Sequence, residues 1–411
     1  MQTKVGYFAL PTTIGNHTFN IVGFRPKVVL FWGGNGQAPN LETDAVFHFG
    51  MATETEQFAY GMRGAHNETA ARTRTRRSFV HCITLRDGLT AVTIANVALH
   101  EFTDEGFTLN VQNIDSKSRQ VNFLAIGGNI EAKIGNGFRP MTPSSQSVDV
   151  GFRPDSIIGL FPSRSSDEGT TFNLFGGIFG LGAYSKGNQF ASATQMDWET
   201  TPTFAVSDHQ AKTFSSRFFG GNITSLTDTG FNISWNGNVD GEWRYVWLAL
   251  KGVTMQVGDA SRPLSSPQVQ TLSTPGVTPS ALLMWGHDSP EGPGWTHINQ
   301  CMGAWGRDPF GAIENPQACS LYTYRHNVST TEARTEQMNG EVGSALFRQR
   351  RVLGQLVAAA RYHSHGEQSI SIDWTNITFF QEGLDRRFMY IVFGEPFQPP
   401  LKEQIRVQFL Q

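Results

Sequence analysis

Apolar residues in this chain follow two strand-like patterns. The first is a continuous run. Val28-Val29-Leu30-Phe31-Trp32 is apolar on both faces, as in a strand covered on both sides. The second is strict alternation, as in Phe107, Leu109 and Val111, which predicts a strand with one buried and one wet face. One stretch, 341–360, carries something close to a 3.6-residue stripe, yet Gly354 could equally divide it into two strands.

These patterns recur three times in one order. An apolar-Gly-x4-Pro segment runs from Val5-Gly6 to Pro11, from Ile134-Gly135 to Pro140 and from Val257-Gly258 to Pro263. A second landmark follows: GFRPKVVLFWGG from Gly23, GFRPDSIIGLFP from Gly151 and GVTPSALLMWGH from Gly276, spaced 128 and 125 residues apart. Its glycine permits an unusual dihedral and its proline suits the first residue of a strand. The alternating strand is third: Phe107, Leu109, Val111; Phe231, Ile233, Trp235; Ile370, Ile372, Trp374. A closing apolar strand is fourth: VNFLAIGG from Val121, YVWLALKG from Tyr245 and FMYIVFGE from Phe388.

The expected fold is therefore all-β: three tandem β-sandwich repeats, jelly-roll or concanavalin-like, packed as a pseudo-trimer. The boundaries are residues 1–130, 131–253 and 254–395, with a C-terminal arm over 396–411. The third repeat is longer, so a larger loop belongs within 290–350. No low-complexity linker separates the repeats, which predicts that they pack together. In the arm, Pro396, Pro399 and Pro400 end the preceding strand, and Ile405, Val407 and Phe409 then alternate with polar residues. Such a strand adds to a sheet edge, either in its own chain or on a neighbouring subunit.

Composition narrows the class. Charged residues are 16% of the 411 residues, below the usual ~25%. With 43 Gly and 12% aromatics, that suits many strands and tight turns and excludes a coiled coil or a charged disordered chain. The net charge of −3 creates no field favouring nucleic acid or an anionic membrane. Cys82, Cys301 and Cys319 have no disulfide or zinc spacing and read as reduced thiols. The N-terminal MQTKVGYFALPTT has no apolar signal core, and no apolar run is long enough for a membrane helix. Six Asn-x-Ser/Thr sequons carry no weight without such a signal.

The second repeat, IGNGFRPMTPSSQSVDVGFRPDSIIGLFPSR with TGFNISWNG and WRYVWLALKG, resembles a repeat of bacteriophage virion proteins. That repeat has a GNG start, Gly-Phe-x-Pro-Asp before an apolar strand, Gly-Phe-Thr-Val and an aromatic closing strand. Arg63-Gly64-Ala65 resembles a short Arg-Gly element of the same family. Two departures stand out: the family Asp is present as Asp155 but replaced by Lys27 and Ser280, and the Trp-Ile-Lys ending is missing. The resemblance implies lectin-like sandwiches and residence in a virion assembled in the host cytoplasm. It implies other virion proteins as partners, and no catalytic centre or cofactor. Its alternative is a host-adsorption protein that recognises surface glycan.

Candidate chemistry is sparse. The chain has no GxSxG, Walker A or HExxH. His363-x-His365, near Glu367, places two imidazoles at strand spacing for a shared metal; the plainer reading is polar strand-end residues. His81-Cys82 are sequence neighbours whose side chains point apart in a strand. Loop carboxylates (Asp104-Glu105, Asp167-Glu168, Asp197 and Glu199) could hold calcium, as lectin-like sandwiches often hold hard cations, but no DxDxDG spacing occurs among them. Arg72, Arg74 and Arg76 share one strand face. They suit an acidic neighbouring subunit, or else charge an edge strand against aggregation. Arg348, Arg350 and Arg351 form a similar group. Trp198, Trp295 and Trp305 are the candidates for stacking on sugars, though Trp is more often core.

Overall fold

The computed structural model describes residues 1–34, 41–43, 45–64, 73–86, 93–162, 177–196, 205–210, 212–215, 220–238, 243–287, 297–307, 317–326, 331–339, 346–350, 356–377 and 387–398. Among them every regular element is a strand, so the fold class is all-β.

The first third of the chain forms β1 (Gln2–Ala9), β2 (Gly15–Phe19), β3 (Pro26–Gly33), β4 (Leu41–Thr43), β5 (Ala45–Thr53), β6 (Gln57–Gly64), β7 (Thr73–Ser78), β8 (Ile83–Arg86), β9 (Thr93–Thr103), β10 (Gly106–Asn113) and β11 (Gln120–Gly127). The second forms β12 (Glu131–Arg139), β13 (Ser144–Asp149), β14 (Ser156–Pro162), β15 (Gly177–Ser185), β16 (Asn188–Met196), β17 (Ala205–Gln210), β18 (Phe214–Ser215), β19 (Gly220–Thr227), β20 (Gly230–Asn236) and β21 (Trp243–Lys251). The last forms β22 (Thr254–Ser261), β23 (Gln268–Ser273), β24 (Val277–His287), β25 (His297–Gly306), β26 (Gln317–His326), β27 (Thr331–Asn339), β28 (Phe347–Arg350), β29 (Leu356–Gly366), β30 (Ser369–Ile377) and β31 (Arg387–Pro396). The ambiguous stretch 341–360 thus contributes to two strands, β28 and β29.

Each third builds a large sheet and a four-stranded sheet. The large sheets run β1-β11-β3-β5-β6-β7, β12-β21-β14-β15-β16-β17 and β22-β31-β24-β25-β26-β27-β4. Their partners run β2-β10-β9-β8, β13-β20-β19-β18 and β23-β30-β29-β28. The second and fourth sequence landmarks are neighbours inside each large sheet, which explains why both faces of those strands are apolar. The alternating landmark is β10, β20 or β30 in each small sheet, its apolar side turned inward. β4 departs from its own third: Leu41, Glu42 and Thr43 pair with Glu336, Thr335 and Arg334 of β27.

Among the described residues four hydrophobic clusters result. One lies between the sheets of each pair: around Phe31 and Phe107 in the first, Phe231 and Trp247 in the second, and Trp374 and Phe388 in the third. The fourth is shared. It joins Val28 and Phe49 of the first pair to Ile158 and Phe179 of the second and Leu283 and Trp285 of the third. The large sheets therefore bury their outer faces against one another. At the centre, Phe47, Phe179 and Trp285 are in mutual ring contact, with centroids 5.0, 5.0 and 5.4 Å apart.

The landmarks have structural causes. Gly23, Gly151 and Gly276 adopt φ of 83°, 91° and 74°, where a Cβ is strained. Pro26 is the first residue of β3, whereas Pro279 lies inside β24 where the register shifts beside Ser280. The glycine of the first landmark lies under a ring of the closing strand: Gly6 under Phe123, Gly135 under Trp247 and Gly258 under Tyr390. A Cβ on Gly135 would lie 2.1 Å from the indole of Trp247. Gly135→Ala should therefore cost about 1–3 kcal/mol by overpacking, read as a lower midpoint in urea. A variant within about 0.5 kcal/mol of the parent would show that the indole moves aside freely.

Asp155 also gains a reason. Its carboxylate accepts the Gly252 N–H at 2.7 Å, clipping the start of β14 to the end of β21.

Candidate functional site

The residues singled out from sequence fall in three groups. Arg72, Trp198, Trp295, Ile405, Val407 and Phe409 lie outside the described residues, as do Asp167, Glu168, Asp197, Glu199 and Arg351. Arg74 is on β7, and Arg348 and Arg350 are on β28, with their side chains outside the described set. β7 is the outermost strand of its sheet among the described residues. Arg76 on that strand is engaged within the chain, donating through Nη1 to Thr93 Oγ1 of β9. Its neighbour Arg77 is buried.

Trp305 corrects the sugar-stacking expectation. It is fully buried, and one face of its indole stacks on Tyr362 at 4.3 Å and 2°. The apolar cleft between β25 and β29 takes the ring that solvent would otherwise meet. Cys82 and Cys301 are buried and, among the described residues, in no disulfide, and burial pushes the Cys82 thiol well up. The side chain of Cys319 is outside the described residues. His81 turns away from Cys82, between Ser78 Oγ at 2.7 Å and Gln112 Oε1 at 3.0 Å.

One repeated device escaped the sequence reading. Gln57 and Gln317 open β6 and β26, and Gln189 is the second residue of β16. Their side-chain oxygens accept the N–H of Leu99, Ile223 and Tyr362 at 2.8, 3.0 and 2.7 Å. Each acceptor thus ties a large sheet to the small sheet opposite. The recipients precede a β-bulge whose extra residue is His100, Thr224 or His363. A bulge frees a backbone donor, and the glutamine supplies the missing partner. The sequence signal is the short echo Gln-Phe-Ala, Gln-Phe-Ala, Gln-Ala-Cys at 57, 189 and 317. Gln189 also accepts from Thr213 Oγ1 at 2.9 Å. Gln189→Ala should cost about 1–3 kcal/mol, because it leaves the Ile223 N–H unsatisfied. Hydrogen exchange at Ile223 should accelerate in that variant; unchanged exchange and stability would remove the bridging role.

The bulge also overturns the paired-histidine reading. Tyr362 pairs with Ile372 but Ser364 with Ser371, so His363 is the inserted residue and His363 and His365 do not share a face. His363 is exposed. His365 instead lies beside Tyr362, with the phenol oxygen 2.5 Å from its Nδ1. It also lies 5.4 Å from the Trp305 ring centroid. Burial raises the pKa of Tyr362 and lowers that of His365; the nearby Arg307 charge lowers both. The equivalent pairs across the other bulges are Leu99 with Phe102 and Ile223 with Leu226. Polar chemistry at this position is thus peculiar to the third pair. Among the described residues no three His, Cys, Asp or Glu side chains gather as a metal site.

Two clefts of about 350 and 370 Å³ open where successive pairs meet. In the first, Glu54 is already paired with Arg25 at 2.7 Å and Glu131 with Lys251 at 2.5 Å. The Lys133 ammonium donates to the Val150 carbonyl at 2.9 Å. Each of these contacts closes within one sheet pair.

His48 is a further residue the sequence reading passed over. It lies on β5 facing the interior of the first pair, fully buried, and among the described residues neither ring nitrogen has a hydrogen-bond partner. Burial lowers its pKa from 6.5 to about 3.

No protein-family model matches the sequence, and no curated protein matches it. Among the described residues no helix is long and apolar enough to cross a membrane.

Proposed function

We propose that the chain is a non-enzymatic structural protein of a bacteriophage particle, an accessory or decoration component of the capsid or tail. The observation that carries this reading is the shared cluster in which Phe47, Phe179 and Trp285 lock three sheet pairs into one block. A block joined through its own interior leaves the small sheets facing outward for contacts with neighbours. Those outer faces are held by short neutral side chains: Thr18 with Thr108, Ser147 with Asn232, and Thr271 with Ser371, at 3.0, 2.7 and 3.0 Å. Outer faces with such short polar pairs suit close packing within a particle. The virion setting comes from the resemblance of the repeats. Mass spectrometry and cryo-electron microscopy of purified particles are the test. The expected result is a fixed copy number and a three-part density seated on the head or tail. Absence from particles, or release of sugar fragments by the purified chain, would overturn the proposal.

A further inference from the structure

We propose that the edge of the third sheet pair binds an oxyanion, the carboxylate or phosphate group of a ligand, through Arg307, His365 and Tyr362. The three sheet pairs provide an internal comparison. Val29, Ile157 and Leu282 each lie three residues after the landmark proline and pair with Ala52, Tyr184 and Trp305. Two residues further on stand Glu54, Lys186 and Arg307. Across the bulges stand Leu99 and Phe102, Ile223 and Leu226, and then Tyr362 and His365. Two pairs close this edge with apolar side chains; the third closes it with a phenol and an imidazole.

The arrangement is pre-organised. Trp305 stacks against Tyr362 and fixes the phenol, whose oxygen meets His365 Nδ1 at 2.5 Å. A neutral phenol donates its proton to Nδ1, and a neutral imidazole so engaged carries its own proton on Nε2. The raised Tyr362 and lowered His365 pKa values agree with both groups being neutral near pH 7. Nε2 has no hydrogen-bond partner among the described residues. Arg307 is exposed and its guanidinium makes no hydrogen bond or ion pair there, while its charge reaches both rings. In the first pair the corresponding Glu54 is instead paired with Arg25. An N–H donor within the field of an unused guanidinium fork is the chemistry that holds a carboxylate or a phosphate.

Bound anion favours the charged imidazole, so it should raise the titration midpoint of His365. The experiment follows the His365 ring by NMR in the full chain at low ionic strength, where screening is weak. Glucuronate, inorganic phosphate and glucose are added in separate titrations. Saturable shifts with glucuronate, phosphate or both, and none with glucose, support the site and show which oxyanion it prefers. Arg307→Ala removes an exposed side chain and should weaken binding roughly tenfold or more. His365→Phe, which restores the first pair's residue, should abolish binding, as read by calorimetry. Lys186→Ala, at the corresponding place in the second pair, should change nothing. Equal responses to glucose and glucuronate, no saturation with either anion, or unchanged affinity in Arg307→Ala would overturn the proposal.

Discussion

Phe179→Ala should destabilise the chain by about 3–5 kcal/mol and separate the unfolding of its three parts. Phe179 is the second pair's contribution to the shared interior. Its ring lies 5.0 Å from Phe47, 5.7 Å from Phe49 and 5.6 Å from Tyr60 of the first pair, and 5.0 Å from Trp285 of the third. Truncation removes one side of every one of those contacts. It also leaves a void that three sheets would have to move together to close. Phe231→Ala provides the comparison, because Phe231 lies inside the second pair and packs on Trp247 at 5.9 Å. Both substitutions should lower stability, but only Phe179→Ala acts on the coupling between pairs. Denaturant unfolding followed by tryptophan fluorescence should show a broadened or two-step transition for Phe179→Ala, with a smaller m-value. A single transition of unchanged slope, shifted by less than about 1 kcal/mol, would mean that the pairs are held by something other than this cluster.

Much of this architecture was legible because its causes are local. A run apolar on both faces, such as Val28 to Trp32, has to lie between two covers, and β3 does. The glycine at 23, 151 and 276 marks a positive φ, and the glycine at 6, 135 and 258 marks a ring overhead. Single residues acting across space were not legible. Gln189 looks like any polar residue at the start of a strand, and only the opposite sheet reveals the N–H it accepts. The bulge at His363 changes the parity of β29, so period-two counting put His363 and His365 on one face. Trp305 suits sugar stacking by residue type alone, whereas pairing with Gln317 places it at the buried end of β25. β4 pairs with a strand nearly three hundred residues away in the chain, and no local pattern encodes that choice.

Lowering the pH from 7 towards 4 should destabilise the chain by an amount that His48→Leu removes. At the position of His48 the second and third pairs have Gly180 and Cys301; all three pair with the residue seven places after the landmark proline. Position 48 is therefore an interior site that elsewhere holds a small or apolar group. The imidazole is buried beside Gly33, and among the described residues neither nitrogen has a hydrogen bond. A charged imidazole there would lose its hydration with nothing in return, so burial lowers its pKa from 6.5 to about 3. The sign follows directly. Above pH 6.5 the ring is neutral in both folded and unfolded chains, and the His48 contribution is fully present. Between 6.5 and about 3 the unfolded chain binds a proton that the folded chain refuses, so stability falls as pH falls; below about 3 the loss levels off. A shift of this size corresponds to a loss of up to about 5 kcal/mol. Carboxylates titrate in the same range, so the informative quantity is the difference between parent and variant, measured by urea unfolding at several pH values. Leucine is apolar and nearly as large, and its stability should fall less steeply on acidification. It also removes two unsatisfied nitrogens, so His48→Leu should match or exceed the parent at pH 7. Parallel pH profiles for the two proteins would show that His48 finds a partner for its proton when it needs one.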